Sequence, residues 1–229
     1  MLAKAPVDRP HFIPEAKETP AETQVRYEQI AADIADVLKT EKPLFKGPDG
    51  KIKTSSLILS VMFHESGFRR DVDLGQGQVA KGDHGNSVCM MQLNIGKGRT
   101  FQWNTVQNRA VLPSDSASEI VEGWTAQEVL ADRKKCIRAG LRVLRASFAS
   151  CARLPQTDWL RAYASGNCEH GASESASRMG MATRWYTTHK PSFDDTTLDA
   201  PPAAVPAPLA ELLHQGPSQV RFITLYQTP

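Results

Sequence analysis

No apolar run in the chain reaches the ~18 to 20 residues that a membrane-spanning helix needs, so no span is expected. Nor is either sign of charge in excess. The 27 Lys and Arg against 25 Asp and Glu leave a formal net charge of +2, too little to argue for a nucleic-acid partner. Cysteine is scarce: Cys89, Cys136, Cys151 and Cys168 lack C-x-x-C spacing, which argues against a zinc ribbon. Their even number permits two disulfides without requiring them, and buried free thiols are the alternative. H-E-x-x-H is missing too, since His64-Glu65 is followed by Ser66-Gly67-Phe68, and His84, His170 and His189 stand elsewhere. A metalloenzyme is therefore disfavoured, and no cofactor is expected. Internal repeats are absent as well.

What remains is an ordinary globular composition, 41% hydrophobic and 23% charged in 229 residues, enough for one substantial core. Residues 1–20 read as an extended, proline-punctuated lead-in without the apolar segment of a signal peptide. A trimmed mature form, another export route and function without export all fit that reading. Residues 21–192 read as one predominantly α-helical domain, and 193–229 as a Pro/Ala-rich arm ending in a strand-like VRFITLY.

Periodicity predicts helices over Glu22 to Leu38, from a cap at Thr54 or Ser55 through LILSVMFHES, over 126–150, over 158–165 and over 174–190. Gly67 to Gly85 should be loop, and SVCMMQLNIG (87–96) a short strand pair or extended turn. On the longest helix, Leu130, Ile137, Leu141, Leu144 and Phe148 form one apolar stripe. Arg133, Lys134, Arg138, Arg142 and Arg145 fill the rest, and a solvated face is the plain expectation for them.

Glu65 breaks the pattern of its helix. At ~100° per residue it falls near the centre of an apolar sector made by Leu57, Ile58, Val61 and Met62. A carboxylate there meets a desolvation cost unless it is paired, and desolvation favours the protonated acid. A general acid in glycoside cleavage needs that state, because it must protonate the departing oxygen. A Glu paired with an Arg, or one reaching solvent at the helix end near Gly67, is the competing reading.

Three segments extend this. FHESGF (63–68), GDHGNSVCMMQLN (82–94) and AYASGN (162–167) resemble, in the same order, the E-S, G-L-M-Q and A-Y-N-A-G motifs of goose-type lysozymes and soluble lytic transglycosylases of glycoside hydrolase family 23. The resemblance spans roughly residues 55–190. It implies an α+β lysozyme-like fold, mainly α, with a short β-hairpin or extended segment bordering the cleft. It also implies cleavage of the β-1,4 bond between N-acetylmuramic acid and N-acetylglucosamine in peptidoglycan.

Carried over by position, Glu65 becomes the catalytic acid, and Tyr163 the tyrosine beside it. Asp83 becomes the acid that helps to place a water. Ser66, Met91, Gln92, Asn94, Ser165 and Gly166 become substrate-binding residues. The departures are Cys89 for the usual glycine, Met90 for leucine, Ala164-Ser165 in the third motif, and Asn94 where many goose-type enzymes have aspartate. Hydrolysis through Asp83, and attack by the sugar's own 6-hydroxyl to give a 1,6-anhydro end, are both left open. From motif adjacency the resemblance further suggests a Cys89–Cys168 bridge bracing the cleft. Peptidoglycan strands are the implied partner, with a monomer working in the periplasm or outside the cell. A wall-binding protein of the same fold with weak or no activity is the alternative.

Overall fold

The structure is a computed structural model, and it describes residues 18–75, 82–113, 115 and 122–189. Within them the protein is mainly helical with two small antiparallel sheets. The elements in order are α1 (Pro20–Thr40), α2 (Gly50–Ser66), α3 (Arg70–Asp73), α4 (Gly82–Gly85), β1 (Ser87–Val88) and β2 (Leu93–Asn94). After these come β3 (Thr100–Asn104), β4 (Arg109–Ala110), β5 (Glu122–Thr125), α5 (Ala126–Ala131), α6 (Arg133–Ser150), α7 (Arg161–Ser165) and α8 (Ala172–His189). No described helix is long and apolar enough to cross a membrane. The C-terminal arm and VRFITLY lie outside the described residues, as does most of the N-terminal lead-in.

Helix boundaries follow local chemistry. α1 begins at a capping box, in which Thr19 accepts from the Glu22 amide and Glu22 reaches back to the Thr19 amide. α2 starts earlier than the expected cap, at Gly50, because Asp49 adopts a left-handed turn there. Thr54 is consequently buried inside the helix, where its hydroxyl donates to the Gly50 carbonyl. The single helix expected over 126–150 is interrupted at Asp132, whose carboxylate accepts from the Lys134 and Lys135 amides and caps α6 afresh. The segment expected as loop, Gly67 to Gly85, holds the short helices α3 and α4. The helix expected over 158–165 is a 3-10 turn (Gln156–Asp158) followed by the five-residue α7.

The core sits where α2 packs on α8 and α1 packs on α6. Ile30, Leu57, Ile58, Met62, Ile137, Leu141, Leu144 and Leu160 are fully buried there, each stabilising by about 1.5–3 kcal/mol through the area removed from water. The basic side of α6 is not simply solvated. Arg133 pairs with Asp33 of α1 and Asp73 of α3, Lys134 with Asp36, and Arg142 with Glu41 while lying over the Trp103 ring. The Arg133 and Arg142 pairs seam α6 to its neighbours out of water, while Lys134–Asp36 stays exposed. The reason is that acidic positions on α1 are presented to the same groove, which the sequence of α6 alone does not reveal.

β1 and β2 form the expected strand pair, with Ser87 opposite Asn94 and Val88 opposite Leu93. The second sheet has the order β4-β3-β5 and carries the Phe101, Trp103 and Trp124 rings against one another. Two disulfides join Cys89 to Cys136 and Cys151 to Cys168. The Cys89–Cys168 pairing is therefore not made. Cys89 turns toward the face of α6 beneath its own turn, and Cys168 toward the C-terminal end of that helix, so each motif segment is tied to α6 and not to the other.

Candidate active site

Glu65 occupies the last turn of α2, which stops at Gly67 with φ 57°, its amide bonding back to the Phe63 carbonyl. Leu57, Ile58, Val61 and Met62 are all fully buried, as the apolar sector predicts. The early stop leaves Glu65 only part-buried, at the edge of a cleft of about 580 Å³. Its side chain is 18% exposed and is not isolated in apolar surroundings. Arg178 of α8 donates to Oε1 from Nε at 3.0 Å and from Nη2 at 2.5 Å. The guanidinium offsets the desolvation cost on which the expectation of an unpaired acid rested. The competing reading, a Glu paired with an Arg, describes this geometry.

The second wall is the turn between β1 and β2. Cys89 (φ 61°) and Gln92 (φ 45°) both hold left-handed backbone, strained for residues with a Cβ. The Cys89–Cys136 bridge pins the turn to α6, and the Gln92 side-chain amide donates to the Cys89 carbonyl at 3.0 Å. Gln92 and Asn94 line the cleft. Met91 does not. It is fully buried, and its sulfur lies against α6 so closely that a Cβ on Gly140 would fall 2.0 Å from it. What Met91 presents to the site is its carbonyl, which accepts from the Tyr163 hydroxyl.

The third wall is α7 and the turn after it, where Tyr163, Ala164, Ser165 and Gly166 line the cleft. The buried Ser147 sets this wall in place: its hydroxyl accepts from the Tyr163 amide and donates to the Trp159 carbonyl. Ser175 does the same from α8, accepting from the Leu160 amide and donating to the Thr157 carbonyl. Burial, and then the nearby charge of Glu65, push the Tyr163 phenol well above its ordinary value, while Arg178 pulls the other way. Ser165 bonds to the Arg161 and Asn167 carbonyls and closes its own turn.

Glu65, Gln92, Asn94, Tyr163, Ser165 and Gly166 are thus brought together from three separate stretches of chain. Ser66 is not among them: it is buried, donates to the Met62 carbonyl, and accepts from the Phe68 amide at the helix end. A short polar side chain one residue past Glu65 points back along the helix, so its work is on the backbone. Asp83 belongs to α4, five residues before the end of β1, and its side chain lies outside what the structure describes.

Sequence reasoning missed Arg178. Its signal was available, for Ser175, Arg178, Met179 and Ala182 share one helical stripe whose other three members are buried. An arginine on such a stripe demands an anion. Phe101 and Val111 to Pro113, contributed by the second sheet and its following loop, also line the cleft. Among the described residues no group of three or more His, Cys, Asp or Glu is arranged to hold a metal ion. Comparison of the chain with family models, with curated proteins and with solved structures gave no match.

Proposed function

We propose that this protein cleaves the glycan strands of peptidoglycan at the β-1,4 bond between N-acetylmuramic acid and N-acetylglucosamine, with Glu65 as general acid and base. The observation that carries the proposal is the convergence of Glu65, Gln92 and Tyr163 on one cleft. These residues come from the three segments that resemble the motifs of glycoside hydrolase family 23. A cleft lined by amides, a phenol and a short backbone turn suits a polar sugar substrate. Glu65 donates its proton to the leaving oxygen as positive charge develops on the sugar ring.

Two fates of that ring remain compatible with one positioned acid. Water attacks with help from Asp83 and gives hydrolysis, or the 6-hydroxyl attacks with Glu65 as base and gives a 1,6-anhydro end. Mass analysis of digested wall separates them, since the anhydro product is lighter by one water. The two disulfides favour an oxidising location, periplasmic or extracellular, where this substrate is found. Glu65→Gln should abolish cleavage of purified peptidoglycan; retained activity in that variant would remove Glu65 from the role.

A second reading is a wall-binding protein of weak or no activity. The Glu65–Arg178 ion pair favours it, because the guanidinium engages the carboxyl oxygen that an acid would turn toward substrate. Zymography on cell walls distinguishes the two, with clearing expected for the enzyme and retention without clearing for the binder.

A further inference from the structure

Among the described residues lining the cleft, Glu65 and Arg178 are the charged ones, and they neutralise each other. If Glu65 is the acid, as proposed above, the resting pair conflicts with the working state. A proton on Glu65 strips Arg178 of its anion while the arginine side chain is only 12% exposed. A part-buried guanidinium without a counter-charge is costly. Cationic charge gathers here, since burial, then Arg178, then Arg184 hold the His64 imidazole below its ordinary range. The exposed Glu174, one turn earlier on α8, also feels Arg178 but does not line the cleft. The main chain of Arg178 is fixed, for Ser60 on α2 donates to the Arg178 carbonyl at 2.8 Å. What can change partner is the long side chain.

We propose that Arg178 is a specificity-determining residue that exchanges Glu65 for a carboxylate on the glycan. Binding of an anionic strand then releases Glu65 to take up one proton from solvent, and that proton is the one transferred to the glycosidic oxygen. Arg178 recognises the carboxylate through its planar fork, which matches two carboxylate oxygens. Neutral strands leave the resting pair in place and are bound without this exchange. The carboxylate has two possible sources on the same polymer, the lactyl group of peptide-free strands and the peptide stems of intact ones.

The test is calorimetric titration of the full chain. It uses peptide-free muramyl oligosaccharides, peptide-bearing muramyl oligosaccharides and neutral chitin oligomers of equal length. Glu65→Gln, which keeps Arg178 without its anion, should bind a carboxylated glycan about tenfold more tightly than Glu65→Gln/Arg178→Met, a factor in keeping with one charge-assisted contact. The two variants should bind chitin oligomers about equally, within roughly twofold. Added salt should erode the first difference. Glu65→Gln/Arg178→Lys keeps a cation on the same stripe and should retain part of the preference, which separates lost recognition from a lost fold. Preference confined to peptide-free strands assigns the lactyl carboxylate, and preference confined to peptide-bearing ones assigns the stem. Equal losses on charged and neutral glycans would overturn the exchange while leaving the muramidase reading standing. Failure of every variant to bind any glycan would overturn both.

Discussion

The phenolic hydroxyl of Tyr163 donates to the main-chain carbonyl of Met91, so one hydrogen bond joins α7 to the strained turn between β1 and β2. Tyr163→Phe should leave that carbonyl without a donor. The expected cost is about 1–3 kcal/mol, which for a protein of this size lowers the melting temperature by about 2–4 °C per kcal/mol. Differential scanning calorimetry of the two proteins measures it, and an unchanged melting temperature would mean that the bond contributes nothing.

Each disulfide ties a different cleft wall to α6, over sequence separations of 47 and 17 residues that do not overlap. Loop-closure entropy then assigns about 4 kcal/mol to Cys89–Cys136 and about 3 kcal/mol to Cys151–Cys168. Paired Cys→Ala variants should follow that order in denaturant midpoints. The Cys89/Cys136 pair should also lose more activity, because it restrains the turn that carries Gln92. The reverse order in stability would show that native-state strain outweighs chain entropy here.

Glu65 and Arg178 should be energetically coupled. Glu65→Gln keeps an acceptor for the guanidinium and should cost about 1–2 kcal/mol, the difference between a charge-assisted and a neutral bond. Arg178→Met leaves the carboxylate without that partner and should cost more. The double variant should be more stable than the two separate losses predict, since replacing both partners removes the unpaired charge. Additive losses in a double-mutant cycle would mean that the pair is not formed in solution.

His64 predicts an acid-side loss of stability. Its imidazole is held below its ordinary value by burial, with Arg178 and Arg184 adding to the effect. The unfolded chain therefore binds the proton more readily than the folded one does. Stability is full above about pH 6.5 and should decline as pH falls through that value toward the lowered one. The lowered carboxyl groups of Asp36, Glu22 and Glu128 contribute only further down, below the ordinary carboxylate range. In chemical denaturation between pH 7.5 and 5, His64→Leu should flatten the decline, and an identical slope in the variant would clear His64 of it.

The sequence by itself determined the pieces that depend on neighbours along the chain. The capping box at Thr19, the stop at Gly67, the strand pair around Cys89 to Gln92 and the apolar stripe of α6 all follow from local hydrogen bonding and from 3.6- or 2-residue periodicity. Glu65 was legible too, as a carboxylate in an apolar sector close to a helix stop. Only the tertiary structure decided what each of these faces. The partner of Glu65 is 113 residues away on α8, the partner of Cys89 is 47 residues away on α6, and the acceptor for Tyr163 is a backbone carbonyl 72 residues upstream. Met91 and Ser66, neighbours of cleft residues in the chain, are turned inward because successive side chains on a turn or a helix point to different sides. Periodicity shows that a group needs a partner or a cavity; which one it meets depends on the packing of α2 against α8 and of both against α6.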